Sequence, residues 1–177
     1  MMAKQLINRL GQSFFSRDVL VVAPDLLGKV LVRQFDDKSL VRYVISEVEA
    51  YRGEEDAACH AHKGRTERTE VMYHEGGHVY VYLIYGMYWL LNFVTGEKND
   101  PQAVLIRGVK EVEGPGRLGR ALELDKSFYG ELLSDSERIW VEDDPLYGKV
   151  VYDTTPRIGI DYAPEKWRYQ KWRFVLS

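Results

Sequence analysis

VYVYLIYGMYWLLN, residues 79–92, runs for fourteen residues without a charge and carries four of the chain's twelve tyrosines. It falls short of the roughly 20 apolar residues that a membrane span requires. As a helix it is apolar on every side and must be buried. As strands it sets Tyr80, Tyr82 and Ile84 on one face and Val79, Val81 and Leu83 on the other. Valine, tyrosine, isoleucine and tryptophan are strand formers, and Tyr85-Gly86 in the middle supplies a turn, so the stretch reads as a β-hairpin with Tyr85 at or near its tip. A ring at an exposed tip contributes little to a core. Either another segment covers it or it is a wedge for something flat; burial as an ordinary core aromatic is the competing reading.

Upstream of the hairpin, Ser16-Arg17-Asp18 leads into the apolar run VLVVA, and Pro24 marks where a second short helix begins with Asp25 in its first turn. Residues 29–35 (KVLVRQF) alternate, Asp36-Asp37-Lys38 is a turn, and residues 39–50 alternate again, predicting a second hairpin. Strict alternation there puts Tyr43, Ile45, Glu47, Glu49 and Tyr51 on one face. Residues 51–77 are polar and rich in Gly, Arg, Glu and His, and a loop this long in a compact domain is generally functional. Downstream, residues 103–109 (AVLIRGV) read as a strand holding Arg107, Gly114-Pro115-Gly116 as a break, and residues 117–124 as a helix whose glycine-led start beside Arg117 is either an anion site or a plain loop-to-helix joint. Residues 139–142 and 149–152 are predicted strands, residues 155–159 a turn into one more, and residues 167–175 the closing segment.

At 177 residues the chain fits one domain, residues 1–177, and 45% hydrophobic with 29% charged residues is globular composition. A single cysteine, Cys59, excludes an internal disulfide framework, and residues 1–10 lack the apolar core of a signal peptide, so the expected location is cytoplasmic. The net charge of -3 argues against a globally basic nucleic-acid binder. Charge is nonetheless segregated: residues 123–144 are strongly acidic, whereas Arg52, Lys63, Arg65 and Arg68 cluster with His60 and His62, and Lys166, Arg168, Lys171 and Arg173 follow Ala163. One basic face is compatible with that pattern.

Glu49, in EVEAY at the end of a predicted strand beside Tyr51, is placed to polarise a water if partial burial lifts its pKa. The alternative is a solvated glutamate paired with Arg42 or Lys29. A two-carboxylate sugar hydrolase using Glu47 and Glu49 is less attractive, because residues two apart on one strand lie only about 7 Å apart on the same side of any substrate. Cys59-His60-Ala61-His62 has poor chelating spacing for zinc, and no metal site is expected. Walker, Rossmann and G-x-S-x-G motifs are missing from the sequence.

Taken together, EAYRGEEDAACH, GRTERTEVMY, the hairpin stretch, VLIR, GPGRL and PRIGIDYA, in that order across residues 26–174, resemble the alkylpurine (3-methyladenine) DNA glycosylase family of the mammalian alkyladenine glycosylase type. The resemblance implies an α+β fold: a single mixed domain with a curved, mostly antiparallel β-sheet, surrounding short helices and a protruding β-hairpin. It implies a monofunctional enzyme that flips alkylated or deaminated purines (3-methyladenine, 7-methylguanine, hypoxanthine, ethenoadenine) out of duplex DNA and hydrolyses the N-glycosidic bond. Matched position by position, Glu49 is the base that activates water, Tyr51, His60 and Tyr82 sandwich the flipped base, Asn92 screens its exocyclic groups, and Arg107 lies near the phosphate. Tyr85 matches the intercalating wedge, flanked by Met87 and Tyr88, with Arg65 and Arg117 as further groove contacts. The family leads one to expect no cofactor, double-stranded DNA bearing a damaged purine as partner, no obligate protein partner, no membrane and a monomer. A non-catalytic damaged-DNA-binding module on the same scaffold, or a small-molecule hydrolase indifferent to DNA, are the competing classes. The chain departs from the pattern of the family it resembles in having only six residues between Arg107 and Gly114, and in carrying Glu67 where that family commonly has proline.

Overall fold

A computed structural model describes residues 8–177, so the leader reading of residues 1–10 falls largely outside it. A short α1 (Gln12–Phe15) precedes α2 (Val19–Leu26), which is capped by Asp18: its carboxylate accepts the Leu20 N–H at 2.8 Å. The sequence predicts a new helix at Pro24, but Pro24 sits inside α2. Val19, Val22, Ala23 and Leu26 fall at i, i+3, i+4 and i+7 and are buried as one face. Burying large apolar side chains at about 1.5–3 kcal/mol each outweighs the roughly 3 kcal/mol an interior proline costs. Asp25 pairs with Arg17 at 2.9 Å instead of opening a helix.

β1 (Val30–Gln34) and β2 (Leu40–Tyr51) form the predicted hairpin, with Lys38 taking the positive φ of its turn. β2 is the spine of the sheet. Its first half pairs with β1; its second half lies between β5 (Gln102–Val109) and β9 (Arg173–Leu176). The register against β5 shifts on both sides of Glu47, a bulge that reverses which side chains face the core. Strict alternation groups Ile45 with Glu47 and Glu49; the bulge instead buries Ile45 with Val48 and Ala50 in the main core and leaves Glu47, Glu49 and Tyr51 on the opposite face.

β3 (Val79–Ile84) and β4 (Tyr88–Thr95) are the hairpin read from residues 79–92, and β4 pairs with β5. β5 turns directly into β6 (Val112–Glu113), which accounts for the short span between Arg107 and Gly114. With β7 (Ile139–Glu142) against β1 and β8 (Tyr152–Thr155) against β9, every strand pairing is antiparallel, in the order β3-β4-β5-β2-β1-β7. The result is a curled sheet in one mixed α+β domain, in line with the sequence reading. α3 (Pro115–Ala121) starts two residues earlier than predicted because Pro115 occupies the first helical turn, and it packs on β4 so closely that a Cβ at Gly119 would stand 1.9 Å from the Trp89 carbonyl oxygen. Two sequence expectations fail near the C-terminus. Residues 149–152 are not a strand, since β8 begins only at Tyr152, and residues 155–159 lead not to a strand but through a loop to α4 (Glu165–Arg168). The backbone of that loop bonds elsewhere: the Ile158 N–H goes to a side chain, not to a ladder.

The sheet is covered on both faces. α2, α3 and the apolar side chains of β2, β4 and β5 form the main core, into which Val79 and Val81 point. The opposite face of β3 presents Tyr80 and Tyr82 to a second cluster built under residues 52–77, where short 3-10 turns (His60–Lys63 and Glu70–Tyr73) carry Ala61, Val71, Met72 and Tyr73 inward. Double coverage explains why the hairpin lacks charge. Among the described residues no helix is long and apolar enough to cross a membrane.

Candidate active site

Glu49 is completely buried at the end of β2. Its Oε1 accepts the Tyr51 hydroxyl at 2.9 Å and lies 3.7 Å from Nη1 of Arg107, while Oε2 accepts the Ile158 N–H at 2.6 Å. Burial raises its pKa, opposed by Arg107, the Ile158 N–H, Tyr51 and Arg157. The alternative partners suggested by sequence are occupied elsewhere: Arg42 pairs with Glu142, and Lys29 with Asp143 at 2.9 Å. Glu47 is a different kind of group. It receives Nε of Arg107 at 2.9 Å and Nε of Arg173 at 2.7 Å, so it orients arginines.

Tyr51, Arg107 and Ile158, the three residues that enclose Glu49, also line a cavity of about 770 Å³. The same cavity gathers His60, Tyr82 and Asn92 from the 52–77 loop, β3 and β4, with Tyr80, Arg68 and Tyr162 completing its walls. His60 and Tyr82 meet edge to face with ring centroids 4.6 Å apart, and His60 Nδ1 lies 2.8 Å from the Tyr80 hydroxyl. Burial, helped by Arg68, lowers the His60 pKa to about 4, so the imidazole is neutral at physiological pH. Burial likewise raises Tyr82 to about 12 and Tyr51 well above its ordinary value. Tyr51 therefore keeps its proton, and its hydroxyl donates a hydrogen bond to Glu49. Asn92 is buried and donates from its amide nitrogen to the Tyr80 carbonyl at 3.2 Å, which fixes the amide plane at the wall. His62 turns the other way, its Nδ1 2.7 Å from the Glu54 carbonyl, so the two imidazoles of Cys59-His60-Ala61-His62 do not converge.

At the cavity's outer rim the hairpin turns over Tyr85-Gly86-Met87, with the Met87 N–H on the Ile84 carbonyl at 3.1 Å. Tyr85 and Gly86 have φ of 54° and 64°, the hand that matches the twist of the strands. A tyrosine in this region costs on the order of 1 kcal/mol, and Tyr85 is 84% exposed, so no burial offsets the strain. Met87 is also exposed at the tip; Tyr88 is half-buried beneath Arg120, 5.0 Å from its ring, and above Gly116. Arg117 lines the rim. Arg65 stands apart: it pairs with Glu70 at 3.3 Å and Asn99 at 2.7 Å over the Tyr73 ring and does not line the cavity.

Sequence reasoning assigned no role to Asp56, Arg68, Tyr80 or Arg157. Arg157 and Asp56 are fully buried and joined at 2.6 Å, behind Tyr51. The available signal was an arginine inside the turn-like TPRIG and an aspartate inside EEDAA, neither of which tells which acid meets which base.

A family profile described as Methylpurine-DNA glycosylase (MPG) matches residues 13–177. A protein of Psychrobacter cryohalolentis carrying the name "Putative 3-methyladenine DNA glycosylase" is 43% identical, over 92% of this chain and 90% of its own. Proteins of the same name from Desulfitobacterium hafniense and Methanocella arvoryzae are 41% and 42% identical, over 97% and 93% of this chain and 96% and 90% of theirs.

Proposed function

The chain belongs to the methylpurine-DNA glycosylase family, hydrolases of N-glycosyl bonds in DNA, and from that premise we propose that it lifts an alkylated or deaminated purine out of duplex DNA and hydrolyses its N-glycosidic bond with water activated by Glu49. The observation that carries this reading is a fully buried carboxylate, fixed through both oxygens, directly behind the wall of an aromatic cavity. A carboxylate oxygen can accept more than one hydrogen bond, so the donors already on Glu49 do not by themselves bar a water. As the water oxygen bonds to the sugar's anomeric carbon, the departing base takes the electrons of the glycosidic bond and Glu49 takes the proton. The carboxylate also stabilises the positive charge that develops on the sugar.

Tyr51, His60 and Tyr82 form the clamp for the flipped base, at about 1–3 kcal/mol of stacking per base. Cationic lesions such as 7-methylguanine are favoured by electron-rich rings and leave as neutral bases, which is consistent with a site built around one carboxylate. Asn92 screens exocyclic groups, and Arg107, held by Glu47, meets the flipped nucleotide's phosphate. Tyr85, strained and exposed, fills the gap left in the stack, with Met87, Tyr88 and Arg117 along the groove. The protein acts as a cytoplasmic monomer, without cofactor. Arg65 contributes only if DNA draws it from Glu70 and Asn99.

The test is single-turnover incubation with a duplex holding one hypoxanthine or 1,N6-ethenoadenine, and in parallel 7-methylguanine, followed by alkaline cleavage at abasic sites. Cleavage by the wild type that Glu49→Gln abolishes is the expected result. Lesion binding with no base released on any substrate would instead establish a damage-binding module.

A further inference from the structure

Behind Tyr51 lies an ion pair that the reaction as described does not use. Arg157 and Asp56 are both fully buried, and their contact is bidentate, Nη1 to Oδ2 at 2.6 Å and Nη2 to Oδ1 at 3.0 Å. The arginine also donates to the Ala50 carbonyl of β2 at 3.0 Å and to the Trp167 carbonyl of α4 at 3.3 Å. Its guanidinium is 4.8 Å from the Tyr51 ring and 5.0 Å from the Trp172 ring. Asp56 in turn accepts the backbone N–H groups of Arg52 and Ala58, each at 3.0 Å. One ion pair thus ties together the strand that ends in Glu49 and Tyr51, the loop that follows it, α4, and the loop residue directly before Ile158.

Such a pair is poorly explained as a device for stability alone, because a buried ion pair can often be replaced by apolar residues at little or no loss. Its geometric consequence is more specific. Ile158 is the neighbour of Arg157 and gives its N–H to Glu49 Oε2 at 2.6 Å. We propose that Asp56 and Arg157 are positioning residues for Glu49: their fork holds the Ile158 N–H against the carboxylate and so fixes its orientation at the cavity wall. This rests on the reading of Glu49 as the base that activates water. A lysine cannot reproduce the fork, since it offers a point charge in place of planar paired donors.

Other groups facing Glu49 act in parallel. Arg107 approaches from β5 and is shared with Glu47, which also holds Arg173 of β9; Tyr51 lies on β2, Tyr82 on β3, and Tyr162 beyond Ile158. Neither Arg157→Lys nor Asp56→Asn replaces any of these groups, and lysine keeps the positive charge that favours the carboxylate from position 157; in Asp56→Asn that charge is left unpaired and opposes part of the rise. The expected effect is therefore loss of one hydrogen bond that favours the charged carboxylate, with Arg107 and Tyr51 still in place. Loss of one such bond moves a carboxyl titration up by about one pH unit or more.

The test follows the Glu49 carboxyl by carbon NMR in protein labelled at glutamate carboxyls, in wild type, Arg157→Lys and Asp56→Asn, with single-turnover rates against pH and binding of lesion duplex measured on the same samples. Expected are a Glu49 titration raised by about one unit, a matching shift of the acid limb of the rate profile, a cleavage rate lowered roughly 10-fold or more, and duplex affinity within about threefold of wild type. A variant that melts earlier yet keeps the wild-type Glu49 titration and acid limb would reduce the pair to a structural staple and overturn the proposal. Should neither variant fold, the Ile158 amide resonance of the wild type decides: it should titrate with the Glu49 carboxyl, and an amide insensitive to that titration overturns the proposal equally. A wild type that releases no base defeats the reading of function, while the carboxyl and amide titrations still judge the positioning.

Discussion

Acidification should weaken this fold through one imidazole. His60 has its pKa lowered from 6.5 to about 4, chiefly by burial and secondarily by Arg68. The unfolded chain then binds a proton that the folded chain refuses, so stability is intact above pH 6.5 and is lost as pH falls toward 4. Worked through the linkage relation with those two values, the loss from this ring is about 1.4 kcal/mol by pH 5.5 and about 2.6 kcal/mol by pH 4.5; the ring is partly exposed, so these are upper values. The perturbation is His60→Asn, whose amide oxygen can accept the Tyr80 hydroxyl in place of Nδ1 at 2.8 Å but which cannot titrate. Urea unfolding of both proteins between pH 7.5 and pH 4.5 is the assay. The wild type should lose stability relative to the variant as pH falls, and a proton NMR titration should place the His60 midpoint below 5. Parallel curves for the two proteins would show that the ring is not held neutral by its surroundings, and the picture of a dry, hydrogen-bonded pocket wall would go with them.

Glu49 carries the opposite sign. Burial raises its pKa in the fold, so its stabilising share is present below the unfolded value and lost as pH rises through the folded one; Glu49→Gln should melt no lower than wild type at pH 7.5 in calorimetry even as cleavage falls by about 10²–10⁴. Tyr85→Ala should weaken lesion-duplex binding by about 1–3 kcal/mol in fluorescence anisotropy and leave the melting temperature unchanged, because the ring is 84% exposed. An earlier melt would mean that the tip is structural. Gly119→Ala places a carbon 1.9 Å from the Trp89 carbonyl oxygen, so α3 must shift from β4, at about 1–3 kcal/mol of overpacking readable in urea midpoints.

The sheet's outline was open to reading because strand pairs at residues 30–51 and 79–95 are set by local chemistry: β-formers in alternation, broken by Asp36-Asp37-Lys38 and by Tyr85-Gly86. Pro24 misled, since a proline's local preference lost to the burial of Val19, Val22, Ala23 and Leu26 on one helix face. The bulge at Glu47 misled in another way: two-residue periodicity assumes a continuous ladder, and only pairing with β5 and β9 shows that the ladder slips. Residues 149–151 read as strand because Val150 and Val151 are β-formers, yet pairing with β9 starts only at Tyr152; after Thr155 the chain leaves the ladder, where a buried Arg157 reaches Asp56 a hundred residues earlier.

By itself the sequence determined the family, the hairpin with Tyr85 at its tip, and the identity of one carboxylate beside one tyrosine at a strand end, since each is written in residues close together along the chain. The tertiary structure decided the environment of that carboxylate. Only folding removes Glu49 from water, brings Arg107 and the Ile158 N–H to its oxygens, gathers His60, Tyr82 and Asn92 from three separate segments around one cavity, and turns Arg65 aside to Glu70. The physical reason is that desolvation and charge–charge terms depend on distance in space, and contacts between residues far apart in sequence leave no periodicity or spacing from which those distances can be read.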